Sequence, residues 1–182
     1  ILSFAGRWGN EFQLQSIDRF MGAYVRENRS GRTSHDSFPG VIVHTEQTNE
    51  SSGSAYGLHL GWSGNHHVRV EEKFTGQAYA QLGELFLPGE MLLEPGQAYK
   101  SPVLFGASTD KGLSALSGAF HRHVRAKLTD RRIANKIRPV HFNTWEAVYF
   151  DLSLDRLCTL AEHAREVGAE RFVLDDGWFK NR

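Results

Sequence analysis

The sequence contains a single cysteine, Cys158, and no excess of either charge among its 182 residues. One thiol excludes an internal disulfide framework and any metal site built from several thiolates. The 21 basic and 21 acidic residues cancel, so no net field attracts nucleic acid, an anionic membrane or a charged substrate. This composition favours a neutral ligand, and the scarcity of cysteine favours a cytoplasmic location.

Long apolar runs are also missing from the sequence. None approaches the ~18 to 20 residues that cross a bilayer, and the first ten residues lack the basic start and the cleavage site of a signal peptide. The chain starts at Ile1 rather than Met and opens in a strand-like pattern. We therefore expect both ends to be cuts through a longer polypeptide.

Short alternating apolar segments separated by turn residues extend from Glu11 to about Phe105. This pattern predicts an antiparallel β-sandwich domain over residues 1–108, incomplete at its N-terminus. The clearest segments are 58–62 and 68–70, which we predict to form a β-hairpin around Ser63-Gly64-Asn65. Two further strands are predicted at 85–87 and 91–93, because a Pro-Gly pair ends each of them.

The apolar period changes to three or four residues after Thr109. The spacing predicts a helix that runs to about Lys127 and presents one apolar face. That face consists of Leu113, Leu116, Phe120, Val124 and Leu128. We predict residues 109–137 to be a helical linker between the sandwich and a second domain.

Residues 138–182 read as strand, helix and strand. Val140 to Thr144 form the first strand, Ser153 is a candidate N-cap for the helix, and Gly168 stands where a left-handed C-terminal cap belongs. The second strand, 171–174, is apolar enough to be buried on both faces. A βαβ unit requires parallel strands with a right-handed crossover, which fits either a barrel or an open sheet.

Two adjacent carboxylates, Asp175 and Asp176, follow this second strand directly. Metal ligation, acid/base catalysis and hydrogen bonding to a polyol are the candidate roles. Metal is the least favoured, because Glu146 is the only acid near the end of the first strand. Retaining glycoside hydrolysis needs carboxyl groups ~5 to 5.5 Å apart across the anomeric carbon, which consecutive residues seldom provide. Hydroxyl binding beside the apolar rings of Trp145 and Trp178 remains.

Two stretches resemble the opening of the catalytic barrel in the α-galactosidases of glycoside hydrolase family 36. They are the segment 138–151, with Asn143-Thr-Trp-Glu146 at its centre, and the segment 172–179, with Asp175-Asp-Gly-Trp178. The segments 31–36, 56–65 and 87–90 are similar to that family's N-terminal sandwich, although less distinctive. The resemblance covers the whole chain and implies a β-sandwich followed by the first βαβ unit of a (β/α)8 TIM barrel, which begins at residue 138.

The resemblance also implies roles for individual residues. In that family the two aspartates bind the O4 and O6 hydroxyls of a terminal galactose, which corresponds to Asp175 and Asp176, and a tryptophan at the position of Trp145 borders the pocket. Trp178 is a fourth candidate substrate-binding residue. Family members hydrolyse melibiose and raffinose-type sugars with retention and use no cofactor. Their nucleophile and acid/base lie on later barrel strands, so we expect both to lie beyond Arg182.

Further expectations and two alternatives follow from the same resemblance. The intact enzyme is expected to be a homo-oligomer, with a tetramer possible, and this segment alone is expected to be inactive. An α-N-acetylgalactosaminidase or a galactosyltransferase on the same scaffold is the first alternative, and a noncatalytic carbohydrate-binding or assembly module is the second. The paired histidines His66-His67 and His121, His123 are poorly spaced for a shared metal, and we predict no metal site.

Overall fold

The structure is a computed structural model that describes residues 1–18 and 21–179. The chain divides into two compact units, Ile1–Leu128 and Thr129–Arg182. The first unit holds eight strands, one α-helix and one π-helix, and the second holds three α-helices and two strands within the described residues. The predicted domain boundaries at 108 and 137 stay predictions.

The first unit is built from two antiparallel sheets. Its strands are β1 Leu2–Arg7, β2 Asn10–Ser16, β3 Gly22–Asn28, β4 Gly40–His44, β5 Ala55–Gly61, β6 His66–Glu72, β7 Ala78–Glu84 and β8 Val103–Thr109. One sheet has five strands in the order β2-β1-β4-β5-β8, and the other has three in the order β3-β6-β7. Every pairing within these two sheets is antiparallel.

The core of this unit lies between the two sheets. Val41 of β4 packs against Val68 and Val70 of β6, and all three are buried. Alternate residues of a strand point to one face, so the alternating valines of β6 place their side chains against the opposite sheet. The predicted β-sandwich is confirmed.

The hairpin predicted around Ser63-Gly64-Asn65 is wrong. β5 belongs to the five-stranded sheet and β6 to the three-stranded sheet, so the connection carries the chain from one sheet to the other. Leu60 and Val68, each only 2% exposed, are buried on strands of different sheets. Alternation identifies the buried face of a strand but not its hydrogen-bonded partner, and two strands facing each other show the same pattern as two strands side by side.

The two strands predicted at 85–87 and 91–93 are also wrong, because no strand lies between Glu84 and Val103. Each Pro-Gly pair sits in a local turn instead. Glu90 N–H donates to the Leu87 carbonyl at 3.0 Å, and Gln97 N–H donates to the Glu94 carbonyl at 3.0 Å. These turns satisfy backbone groups within the segment, so it does not need a sheet partner.

Helix α1, Gly112–His123, packs on the five-stranded sheet through Leu116. The α-helical hydrogen bonding ends at His123 and continues as a π-helix over Val124–Leu128. The helix predicted to about Lys127 is therefore present, but its last turn is π-helical. Of the predicted apolar face, Leu116 is buried and its neighbours Leu113 and Phe120 are half-buried. Val124 and Leu128 are exposed.

The second unit contains the predicted βαβ arrangement. Its elements are α2 Arg131–Ala134, β9 His141–Asn143, α3 Trp145–Val148, α4 Leu154–Glu166 and β10 Arg171–Val173. β9 and β10 pair in parallel, and the rings of Phe142 and Phe172 stack across the pair with centroids 5.5 Å apart. Gly168 follows α4 with φ of +89°, the left-handed conformation predicted for it.

Two details of this unit differ from the expectation. β10 is not buried on both faces, because Phe172 is 37% exposed and Leu174 is exposed as well. Among the described residues β10 pairs with β9 alone, which leaves its other edge uncovered. Ser153 precedes α4 as predicted, but its hydroxyl makes no capping hydrogen bond. In the described part of the chain, no helix has the length and apolarity needed to cross a membrane.

Candidate functional site

The candidate site lies at the carboxyl ends of β9 and β10. Asn143 is the last residue of β9 and pairs with Val173, the last residue of β10. Because the two strands are parallel, the segments that leave them start from the same edge of the sheet. Asp175 and Trp145, each two residues beyond its strand, therefore follow the same edge of the sheet.

Asp175 is held by three hydrogen bonds to neighbouring groups. Its Oδ2 accepts from Nδ2 of Asn143 at 2.5 Å, and its Oδ1 accepts from the backbone N–H of Asp176 at 2.7 Å. Its own backbone N–H donates to Oγ1 of Thr144 at 3.1 Å. The carboxylate is therefore oriented by the protein while remaining partly exposed.

The chain turns immediately after the two aspartates. Gly177 has φ of +94°, a conformation that other residues rarely adopt. Its N–H donates to Oδ1 of Asp176 at 3.0 Å. Two adjacent carboxylates can serve one ligand only where the chain turns in this way, because an extended strand would direct them to opposite faces.

Thr144 connects the ends of β9 and β10 through two hydrogen bonds. It is fully buried, its N–H donates to the Val173 carbonyl at 3.1 Å, and its hydroxyl accepts from Asp175 N–H. The threonine supplies the acceptor that Asp175 needs where the ladder between the strands ends.

Trp145 begins the short helix α3. Its backbone N–H donates to Oδ1 of Asn143 at 2.8 Å, which satisfies one of the free donors at a helix N-terminus. The indole makes edge-to-face contacts with Tyr149 and Phe150, at centroid distances of 5.3 and 5.1 Å. These contacts fix the ring, which remains partly exposed.

Trp178 is placed differently from Trp145. Its side chain is 68% exposed, and its ring contacts Phe179 at 5.9 Å between centroids. The rings of the two tryptophans pack against different partners. The role assigned to Trp178 in ligand binding stays a prediction, as do those assigned to Asp175, Asp176 and Trp145.

The hydrogen bonds determine the charge state of the site. The Asn143 amide, and after it the Asp176 N–H, hold the pKa of the Asp175 carboxyl below its ordinary value, because both donate to the ionised form. On α3, a hydrogen bond to Glu146 raises the pKa of the Tyr149 hydroxyl. Asp175 is thus an acceptor-only carboxylate, suited to ligand hydroxyl groups.

The sequence analysis did not include Asn143 or Thr144 among the candidate residues, although both contact Asp175. The available signal was their place in the motif, between the end of the first strand and Trp145. Across residues 1–18 and 21–179, no cluster of three or more histidine, cysteine or acidic side chains is arranged to hold a metal ion. The chemistry that remains is the acceptance of hydrogen bonds by two carboxylates, near a residue that carries an aromatic ring.

Comparison with known proteins agrees with this architecture. The model of the glycosyl hydrolase family 36 N-terminal domain matches residues 1–94, and the Melibiase model matches residues 98–182. An α-galactosidase of Escherichia coli is 43% identical over all 182 residues, which cover 26% of its own length.

Solved structures extend the similarity to the whole chain. The family 36 α-galactosidase AgaA of Geobacillus stearothermophilus superposes with a TM-score of 0.89 at 31% identity. A variant of that enzyme in complex with stachyose superposes with a TM-score of 0.88 at 31% identity. In both cases all of this chain and 25% of the other are covered, so the chain spans about a quarter of the relatives' length. The chain belongs to glycoside hydrolase family 36, as part of its N-terminal sandwich followed by the start of its catalytic barrel.

Proposed function

We propose that the intact protein containing this chain is a retaining α-galactosidase that hydrolyses terminal α-linked galactose from oligosaccharides such as melibiose and raffinose. This segment supplies part of the galactose-binding subsite. The nucleophile and the acid/base are assigned to later barrel strands. Family membership and the relatives' names support the reaction class, and the site geometry supports the role of this segment.

One observation carries the proposal. Asp175 and Trp145, which follow two neighbouring parallel strands, are joined through a single side chain, that of Asn143. The carboxyl ends of barrel strands are where the sites of such enzymes lie. An oriented carboxylate and a residue that carries an indole ring thus share one partner, and such a pair suits a pyranose with hydroxyls on one side and C–H groups on the other.

The two aspartates are assigned to two hydroxyls of the galactose, O4 and O6. Asp175 has one lone-pair direction of each oxygen occupied by a protein donor, so each oxygen retains acceptor capacity for a ligand hydroxyl. Asp176 uses one oxygen to accept from Gly177 N–H. A neutral sugar requires no compensating charge, in keeping with a chain whose formal net charge is zero.

The alternatives have less support. The Escherichia coli relative and the superposed structures carry the name α-galactosidase, which does not favour an α-N-acetylgalactosaminidase, a galactosyltransferase or a noncatalytic module. The superposed AgaA variant contains stachyose, an oligosaccharide, which agrees in class with the proposed substrate. We also propose that the intact enzyme is a homo-oligomer, and light scattering on the purified protein tests this and distinguishes a tetramer from smaller assemblies.

The experiment compares substrates on the purified intact protein. Initial rates are measured with the p-nitrophenyl α-glycosides of galactose and of N-acetylgalactosamine, and the anomer released first is identified by proton NMR. We expect a higher kcat/KM for the galactoside and α-galactose as the first product. A preference for the N-acetylated substrate, the β-anomer as first product, predominant transfer to sugar acceptors, or binding without turnover would each contradict the proposal.

A further inference from the structure

Asn143 uses both ends of its side-chain amide at the candidate site. Its Oδ1 accepts from Trp145 N–H at 2.8 Å, and its Nδ2 donates to Oδ2 of Asp175 at 2.5 Å. The first contact is local, two residues along the chain, whereas the second reaches across 32 residues to the segment after β10. One amide thus connects the helix that carries the indole to the loop that carries the carboxylate.

The amide orientation follows from these two partners. Trp145 N–H is a donor and requires the oxygen, while the ionised Asp175 is an acceptor and requires the nitrogen. Both contacts are satisfied in one orientation and both are lost in the flipped one. Asn143 is therefore fixed at the end of β9, and it fixes Asp175 in turn.

The remaining contacts of Asp175 complete the restraint. Oδ1 accepts from Asp176 N–H at 2.7 Å, and the backbone N–H of Asp175 donates to the buried hydroxyl of Thr144. With its backbone tethered and one donor on each oxygen, the carboxylate is held in one rotamer. The acceptor directions left free on its two oxygens are then fixed in space before a ligand arrives, which reduces the entropy lost on binding.

We propose that Asn143 is a positioning residue for substrate recognition. Its side-chain amide orients the Asp175 carboxylate toward sugar hydroxyl groups and links that carboxylate to the backbone of Trp145. This inference rests on the proposed function and deepens it, because it assigns the specificity of the subsite to a residue that need not touch the sugar. The ligand class is a neutral sugar whose hydroxyl groups donate hydrogen bonds to the Asp175 carboxylate.

A purely structural role for Asn143 makes a different prediction for one substitution. If Asn143 served only to cap α3, aspartate would replace it well, because an aspartate oxygen accepts the Trp145 N–H equally. If Asn143 positions Asp175, the aspartate variant should bind substrate poorly. The substitution removes the Nδ2 donor and brings a second carboxylate next to that of Asp175, which repels it. Asn143→Asp thus separates the two roles at nearly constant side-chain shape.

The experiment uses the intact protein and a chromogenic α-galactoside. Asn143→Asp and Asn143→Ala are each expected to raise KM at least about 10-fold, with the aspartate variant the worse of the two, while kcat changes by less than about 3-fold. Asn49→Ala is the matched control, because Asn49 Oδ1 likewise accepts a backbone N–H two residues on, from Ser51 at 2.9 Å, within the first unit. It is expected to leave KM unchanged.

A double-mutant cycle shows whether Asn143 acts through Asp175. In an Asp175→Ala background, Asn143→Ala is expected to change KM by less than about 2-fold, because the group that it positions is already gone. Full additivity of the two losses would overturn the inference, as would an Asn143→Asp variant with wild-type KM. If the unmodified intact protein does not hydrolyse α-galactosides, the proposed function itself fails. An active wild type with unaffected Asn143 variants refutes the positioning role alone.

Discussion

Gly57 and Phe120 lie in direct contact, with the backbone of β5 against the ring of a helix α1 residue. A Cβ built at Gly57 would lie 2.8 Å from Cε2 of Phe120, closer than two carbon atoms can pack. The missing side chain is what allows α1 to sit directly on the five-stranded sheet. This contact attaches the helix to the first unit and makes it part of the sandwich's packing.

Gly57→Ala is expected to destabilise the protein by overpacking. The added methyl would meet both Phe120 and Leu116, and forced rearrangement of this kind typically costs about 1–3 kcal/mol. Gly106→Ala on the neighbouring strand β8 is the control, because its Cβ would lie 3.4 Å from Leu58 Cδ2, an ordinary contact. Urea unfolding of the intact protein should show a lower free energy of unfolding for Gly57→Ala and little change for Gly106→Ala. Equal losses of stability in the two variants would refute the overpacking explanation.

Gly177→Ala is expected to lower the free energy of unfolding more than Gly168→Ala does, although both glycines have positive φ. At Gly168, with φ of +89°, no atom lies within 4 Å of a built Cβ, so only the backbone strain of about 1–2 kcal/mol remains. At Gly177, with φ of +94°, a Cβ would lie 2.6 Å from Cδ1 of Phe150. The difference between the two variants in denaturant unfolding measures this contact, and the absence of a difference would show that the loop yields freely.

His66 is expected to make the protein less stable in mild acid. The residue is only 1% exposed, and desolvation lowers the pKa of its imidazole below the ordinary value. The hydrogen bond to the Gly64 carbonyl opposes this shift, whereas the nearby charges of Arg26 and His67 add to it. The unfolded chain then binds more protons than the folded one, so the free energy of unfolding falls as pH drops below about 6.5. Above a pH of about 6.5, His66 is neutral in both states and its titration costs the folded state no stability.

His66→Asn tests this dependence, because an asparagine side chain does not titrate. An asparagine amide can replace the hydrogen bond between His66 Nδ1 and the Gly64 carbonyl, which spans 3.1 Å. Chemical unfolding of the intact protein is measured across the mildly acidic range. The variant should show a shallower loss of stability with falling pH than the wild type, whereas parallel curves would exclude His66 as the source.

Sequence periodicity predicted which side chains of the sandwich are buried but not how its strands pair. Leu60 and Val68 both lie in the interior, and the compact turn between them is typical of a hairpin, yet they belong to different sheets. Strand partners are chosen by contacts between residues distant in sequence. Val103–Thr109, for example, pairs with β5 across more than forty residues, which no local pattern reveals.

The candidate site was more predictable than the sandwich, for a geometric reason. Parallel strands in a βαβ unit must end at the same edge, so the motifs around Trp145 and Asp175 had to meet there once the unit was recognised. The role of Asn143 was not predictable in the same way. An asparagine after a strand can cap a helix, form a turn or face solvent, and only the position of Asp175 determines where its amide donates.

Asp175→Asn is expected to impair substrate binding severely without unfolding the protein. The substitution removes the charge that strengthens hydrogen bonds from sugar hydroxyls, and it presents an amide nitrogen or a weaker acceptor to Nδ2 of Asn143. We expect kcat/KM for a chromogenic α-galactoside to fall roughly 100-fold or more in the intact protein. Circular dichroism and the unfolding midpoint should stay close to those of the wild type, because Asp175 is only partly buried.

Asp155→Asn is the matched control for this loss. Asp155 is an exposed carboxylate in the first turn of α4, where it complements the positive end of the helix dipole. Its removal is expected to lower the free energy of unfolding by at most about a few tenths of a kcal/mol and to leave the activity unchanged. A comparable fall in kcat/KM for both variants would point to general electrostatics of the barrel segment. Because Asn143 and Asp176 N–H hold the pKa of Asp175 below its ordinary range, the wild-type carboxylate stays ionised in mild acid, and the contrast between the variants should persist there.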